Sequence, residues 1–163
     1  MALIPTYDAI DHIGITVPDL DAAIAFFTGV LGAEVWYHEG PDGDLDGDLM
    51  WRELRVHPRA SVRLAMLRFG SSTTVELLEY VVPPGEARAS APRNSDHSAA
   101  HLGLRVGDVD AAAEYLRAIP GVTVLAGPTT VGEGISRGLR WIYFVTPWGL
   151  NMELVQLPAG MTV

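Results

Sequence analysis

Two stretches of this chain are nearly the same. Residues 12–23 read HIGITVPDLDAA and residues 101–112 read HLGLRVGDVDAA, so the second lies 89 residues after the first. His, Gly, Val, two Asp and two Ala recur at equivalent positions, and three aliphatic positions match in kind. A repeat of this length is too long for a solenoid and too well matched for chance, so it predicts two modules of one fold.

Each copy reads as a strand, a turn and a helix. Over Ile10–Val17, Ile13, Ile15 and Val17 alternate with His12, Gly14 and Thr16; Leu102, Leu104 and Val106 alternate with His101, Gly103 and Arg105. Asp19 and Asp108 suit helix N-caps, with Asp21 and Asp110 favourable in the first turn. Leu20, Ile24 and Phe27, and likewise Val109, Ala113 and Leu116, form stripes at helical spacing. Gly29 and Gly32, and later Pro120-Gly121, end the helices. Three strand-like runs follow each helix, namely Glu34–His38, Val62–Phe69 and Thr74–Val82, then Val122–Leu125, Leu139–Val145 and Asn151–Leu157. Gly70-Ser71-Ser72 and Pro147-Trp148-Gly149 mark turns. The expected architecture is α+β, with βαβββ modules at 7–82 and 97–158 joined by a Pro/Ala/Ser-rich linker at 83–96. Residues 39–61 lack a clean period and read as a surface loop or lid.

Composition narrows the function classes. The chain has 163 residues, 48% apolar and 19% charged, an ordinary globular balance. Its formal charge of -9 disfavours nucleic acid and anionic membranes as partners. It has no cysteine, which excludes thiolate nucleophiles, disulfides and Cys-based zinc sites. Pro5 and Asp8 interrupt the N-terminus before a signal-peptide core, and no apolar run is long enough to span a bilayer. A cytoplasmic protein acting on a small molecule is expected.

The last strand of each module carries a second correspondence. Glu76 lies in Thr-Val-Glu-Leu-Leu and Glu153 in Asn-Met-Glu-Leu-Val, 77 residues apart; the shortfall against 89 fits an extra loop in the first module. A lone His on an apolar strand is usually a core residue, and a lone Glu usually an exposed one. The same His and Glu in both repeats point instead to a shared chemistry, because a buried carboxylate needs a partner or a metal. Two imidazoles and two carboxylates, from His12, Glu76, His101 and Glu153, suit one divalent Fe, Mn, Co, Ni or Zn ion.

These residues carry a resemblance. Asp11-His12-Ile13-Gly14, Val75-Glu76-Leu77, His101-Leu102-Gly103, and Pro147-Trp148-Gly149 followed by Glu153-Leu154 resemble the vicinal oxygen chelate superfamily over most of the chain. That superfamily includes glyoxalase I, methylmalonyl-CoA epimerase, extradiol dioxygenases and bleomycin-type resistance proteins. The resemblance implies paired βαβββ modules forming a curved, cleft-containing mixed sheet around the metal, and commonly a homodimer. It implies a divalent-metal-dependent lyase or isomerase/epimerase that stabilises an enolate of a substrate with vicinal oxygens; Glu76, Glu153 or a residue of the lid is the expected base. An Fe(II) dioxygenase using His12, His101 and Glu153, and a non-catalytic small-molecule binding or resistance protein, are the alternatives. One departure stands out: the epimerase branch carries an acidic residue before the strand that here runs Val62–Leu67, where this chain has His57-Pro58-Arg59-Ala60.

Four further residues are candidates for substrate contact. Tyr80 is in phase with Glu76, Arg105 shares a face with His101, and Trp141 and Tyr143 alternate with Arg140 and Ile142. Core packing and ordinary ion pairs are the plainer accounts of these. Glu79, on the opposite face from Glu76, reads as a salt-bridged residue, and His38, His57 and His97 as surface histidines.

Overall fold

Each half begins with a short strand ended by an aspartate cap. The computed structural model describes residues 5, 8–43, 48–71, 73–86 and 91–161. The chain divides into two units, Met1–Ala87 and Arg88–Val163.

In the first unit, β1 (Ile13–Thr16) leads into α1 (Leu20–Gly29). Asp19 keeps extended backbone, and its carboxylate accepts from the Ala22 N–H at 2.9 Å, satisfying one of the helix's free donors. Then come β2 (Glu34–Asp42), α2 (Leu49–Leu54), β3 (Ser61–Phe69) and β4 (Thr73–Val82). The sheet order is β1-β4-β3-β2; β1 runs parallel to β4, and the other pairs are antiparallel. Leu20, Ala23, Phe26 and Phe27 of α1 are buried, as are Ala65, Leu67, Val75 and Leu77 on the sheet face they cover. Ile24, expected in this stripe, is only half-buried, because the apolar face turns toward Ala23 and Phe26. The opposite sheet face carries Glu76 and, across from it, Met66.

The second unit repeats the plan with β5 (His101–Arg105), α3 (Val109–Arg117), β6 (Thr123–Val124), β7 (Thr129–Thr130), β8 (Arg140–Val145) and β9 (Asn151–Gln156). Its sheet order is β5-β9-β8-β6, with β7 also on β8. Asp108 caps α3 through the Asp110 and Ala111 N–H groups, both at 3.0 Å. Gln156 adds an acceptor for the Val109 N–H at 2.9 Å, tying the helix start to β9. Val109, Ala113 and Leu116 pack on Ile142, Phe144, Met152 and Leu154.

Both helices are clamped to their sheets in the same way. Arg63 on β3 donates to Asp21 in the first turn of α1 at 2.8 Å and to Glu79 at 3.1 Å. Arg140 on β8 makes a bidentate pair with Asp110 in the first turn of α3, at 2.5 and 3.0 Å. Asp21 and Asp110 stand 89 residues apart, and Arg63 and Arg140 stand 77 apart, so the clamp obeys the two offsets of the histidines and glutamates. Glu79 is salt-bridged, as its strand phase implied.

Three expectations change. Residues 39–61 are not one loop: β2 runs on to Asp42, and α2 buries Met50 before Arg55 caps it in the left-handed region. Register shifts between Val35 and Tyr37 and between Glu39 and Asp42 erase the alternation that would have announced the longer strand. The linker is partly anchored, since the Asn151 side-chain amide donates to the Pro92 carbonyl at 2.7 Å. The first strand starts at Ile13, leaving Ile10 outside it and 77% exposed. Residues 1–4, 6–7, 44–47 and 87–90 and Ser72, which bear on the expected N-terminus, module start, lid, linker and first turn, lie outside the described residues.

Candidate active site

The parallel pairing of the first and last strands of each unit sets a histidine beside a glutamate. In the first unit Gly14 is in register with Glu76, and His12 lies two residues earlier on the same side. In the second, Gly103 is in register with Glu153, and His101 lies two residues earlier. His12 Nε2 is 3.4 Å from Glu76 Oε2, and His101 Nε2 is 3.3 Å from Glu153 Oε2. Side-chain exposures agree as closely, 37% and 20% for the first pair against 38% and 18% for the second.

Two glycines lie beside the carboxylates, where there is room for a Cβ and little more. A Cβ on Gly14 would sit 3.5 Å from Glu76 Oε2, and one on Gly103 would sit 3.7 Å from Glu153 Oε2. Any longer side chain would enter the space that the carboxylate occupies.

The spacing within the pairs fits metal ligation better than a simple ion pair. Charge-assisted N–H···O bonds run at about 2.7–2.9 Å, shorter than both distances here. Two donors each about 2.1 Å from an ion and 3.3–3.4 Å apart subtend roughly 105° at it, an ordinary ligand angle. Each unit thus offers one nitrogen and one oxygen donor suited to a divalent ion. Among the described residues, no group of three or more His, Cys, Asp or Glu side chains gathers; the structure brings together His12 with Glu76 and His101 with Glu153.

The surroundings of the two pairs differ. His12 Nδ1 lies 2.8 Å from Asp11 Oδ2, a contact that places the ring proton on Nδ1 and turns the Nε2 lone pair toward Glu76. That hydrogen bond raises the His12 pKa above its ordinary value; desolvation opposes it, and the Glu76 and Asp11 charges add to it. The residue before His101 is Ala100, and its ring meets Tyr143 instead, edge-on at 5.1 Å between centroids, with the hydroxyl 3.5 Å from Nε2. Tyr143 lies opposite Glu153 in register; burial first and the Glu153 charge second push its phenol pKa up.

Strand phase puts the expected substrate residues on these faces. Tyr80 is four residues beyond Glu76 on β4 and half-buried. Arg105 is four residues beyond His101 on β5. Trp141 and Tyr143 both lie on the Glu153 face, their rings 5.5 Å apart, while Arg140 turns to the helix side. His38 registers with Ala65 on the opposite face from Glu76, and His57 Nδ1 accepts from the Arg59 N–H.

Residue-by-residue reading of the sequence missed a cleft in the first unit. About 830 Å³ of open space lies between Asp8, Asp11, Trp36, Tyr37, Arg68 and Thr74, with Met66 at its floor. The Arg68 guanidinium stands 4.8 Å over the Trp36 ring, and Tyr37 meets that ring edge-on at 5.3 Å. Thr74 donates its hydroxyl to the Asp11 carbonyl, joining the cleft wall to the His12 pair. The Trp36-Tyr37 doublet was the available signal, but the β-bulge at Trp36 hid which way it faces.

Comparisons with known proteins bear on the fold as a whole. The model of the glyoxalase/bleomycin resistance protein/dioxygenase superfamily matches residues 11–139. A 2-epi-5-epi-valiolone epimerase from Actinomyces sp is 52% identical over 157 residues, covering 96% of this chain and 84% of that protein. A glyoxalase family protein from Bacillus cereus shares the fold with a TM-score of 0.73 at 19% identity, covering 94% of this chain and 98% of that one. So does the fosfomycin resistance protein FosX from Listeria monocytogenes, solved with Mn(II) and sulfate, with a TM-score of 0.55 at 17% identity, covering 94% and 96%.

Proposed function

The chain belongs to the glyoxalase/bleomycin resistance protein/dioxygenase superfamily, and on that premise we propose that it is a divalent-metal-dependent epimerase of a small hydroxyketone. The observation that carries this reading is the near-identity of the two His/Glu pairs, 3.4 and 3.3 Å, in a chain 52% identical to an enzyme whose name ends in -olone epimerase. The endings -ol and -one denote hydroxyl and ketone.

His12, Glu76, His101 and Glu153 are the residues that would hold the ion, either within one chain or between two. When bound, a divalent ion supplies Lewis acidity to a carbonyl and an adjacent oxygen. The proton chemistry falls to the chain's own groups. One carboxylate, Glu76 or Glu153, takes the proton from the carbon next to the carbonyl, and the C–H electron pair passes into the enolate. Return of a proton to the opposite face of that carbon inverts it, and the other carboxyl is available to give it. The two carboxyls then hold each other's starting protonation, which exchange with water resets. Asp11 keeps His12 in one tautomer throughout. The Tyr143 hydroxyl, opposite Glu153 in register, is a donor for a substrate oxygen. Arg105, Trp141 and Tyr80 complete the substrate contacts.

The test is proton exchange. Protein reconstituted in turn with Mn, Fe, Co, Ni and Zn is incubated with 2-epi-5-epi-valiolone in D2O and followed by NMR. Deuterium at the inverted carbon, abolished by chelation and by His101→Ala, is expected. Absence of exchange with every metal overturns the proposal.

A further inference from the structure

The cleft at Trp36 lies on the Glu76 face of its sheet yet contains neither His12 nor Glu76. Its volume is within the range of small-ligand sites, about 300–1,000 Å³. Its lining is chemically specific. Trp36 is 58% exposed although a large aromatic, and it occupies a β-bulge without a partner in the β3 register. A bulge gives up ladder hydrogen bonds and re-aims a side chain, which fits a binding role better than a packing one.

Arg68 is the second unusual feature. Among the described residues its guanidinium makes no ion pair, and it stands over the indole instead. Arg63 and Arg140, by contrast, are committed to carboxylates on the helix sides of their sheets. Arg68 therefore faces the cleft with hydrogen-bond donors in a fixed fork. Asp8 and Asp11, both exposed, line the same cleft, Asp11 with one carboxylate oxygen bonded to His12.

One cation and two carboxylates around an indole do not suit a strongly charged ligand of either sign. They suit a neutral polyol. Hydroxyls accept from guanidinium and donate to carboxylate, and a ring's C–H face packs on an aromatic surface. We propose that this cleft is a polyol subsite: it stacks the C–H face of a neutral polyhydroxylated substrate on Trp36, with neighbouring hydroxyls held by Arg68, Asp8 and Asp11. This rests on the hydroxyketone reading above, and it names the residues that would select such a ketone from simpler ones. Thr74, bonded to the Asp11 carbonyl, connects the subsite to the reacting end at His12.

The experiment is isothermal titration of metal-loaded protein with 2-epi-5-epi-valiolone, beside steady-state kinetics on the same ketone and metal content by mass spectrometry. Wild type is compared with Trp36→Ala, Arg68→Gln and Asp8→Asn, and inorganic phosphate serves as the anionic probe. Weakening of ketone affinity and a rise in KM of about tenfold or more in Trp36→Ala and Arg68→Gln, with metal content unchanged and kcat within about twofold, is expected. Wild-type affinity in both variants, no saturable binding of the ketone to wild type, or saturable binding of phosphate in its place, overturns the subsite. Binding with this dependence but no turnover leaves the subsite standing and removes the epimerase reading. Turnover with KM unmoved by both substitutions does the reverse.

Discussion

Gly14 and Gly103 offer a graded test of the His/Glu pairs. A Cβ at Gly14 would sit 3.5 Å from Glu76 Oε2 and 3.6 Å from Leu78 Cδ1, ordinary van der Waals contacts, and Gly14 has no left-handed backbone to forbid a side chain. Gly14→Ala is therefore accommodated, and trading glycine for alanine in a strand is if anything stabilising. Valine adds two methyls, each about 1.5 Å beyond the Cβ, and these fill two of the three staggered directions. A methyl directed at the carboxylate would come within roughly 2–2.5 Å of Oε2, so Glu76 has to retreat by about 1 Å, a displacement that costs about a hundredfold where geometry decides function. Because valine favours strands, the fold is retained. Competition against a chromophoric chelator, with circular dichroism as the folding control, reads the outcome. Gly14→Ala stays within about threefold of wild type, while Gly14→Val loses about 10- to 100-fold in metal affinity. Gly103→Val, whose Cβ would lie 3.7 Å from Glu153 Oε2, shows a similar but smaller loss. Wild-type affinity in folded Gly14→Val refutes the role given to Glu76.

Asp11→Ala lowers metal affinity about 10-fold, whereas Asp11→Asn, which keeps an acceptor for Nδ1–H, loses less; the same competition assay checks both. His12 has a raised pKa, so in metal-stripped protein its contribution to stability is present below about pH 6.5 and is lost as pH rises through its folded value. The melting temperature of the stripped protein then declines from about pH 6 to 8 relative to Asp11→Asn, while metal affinity climbs over the same range because binding displaces the proton. Phe27 is fully buried and meets Phe26 and Phe69 edge-on, so Phe27→Ala costs about 3–5 kcal/mol in urea unfolding.

What the sequence made legible is what both halves repeat. The caps at Asp19 and Asp108 and the buried stripe of α3 follow from local rules, and the structure has them. The partnership of His with Glu was legible because it recurs. What stayed hidden depends on register or on one copy alone. Arg63 and Arg140 follow the same offset as Glu76 and Glu153, yet their partners sit on another element and cannot be read along a strand. The cleft at Trp36 depends on a bulge, a one-residue irregularity that reverses the face of everything near it. Asp11 adjoins His12 in sequence, but only the ring's orientation makes it a partner.

The symmetry of the donor pairs ends at their neighbours: Met66 lies opposite Glu76, and Tyr143 opposite Glu153. For an epimerase this asymmetry is bounded by the Haldane relation. The ratio of forward to reverse kcat/KM is fixed by the free energies of the two epimers, which no side chain can alter. Tyr143→Phe must therefore scale kcat/KM for both epimers by one common factor, however differently the phenol touches each. A thioether on one flank and a phenol on the other can redistribute that factor between kcat and KM in each direction, and so set which epimer saturates the enzyme first, but neither can make the reaction run one way.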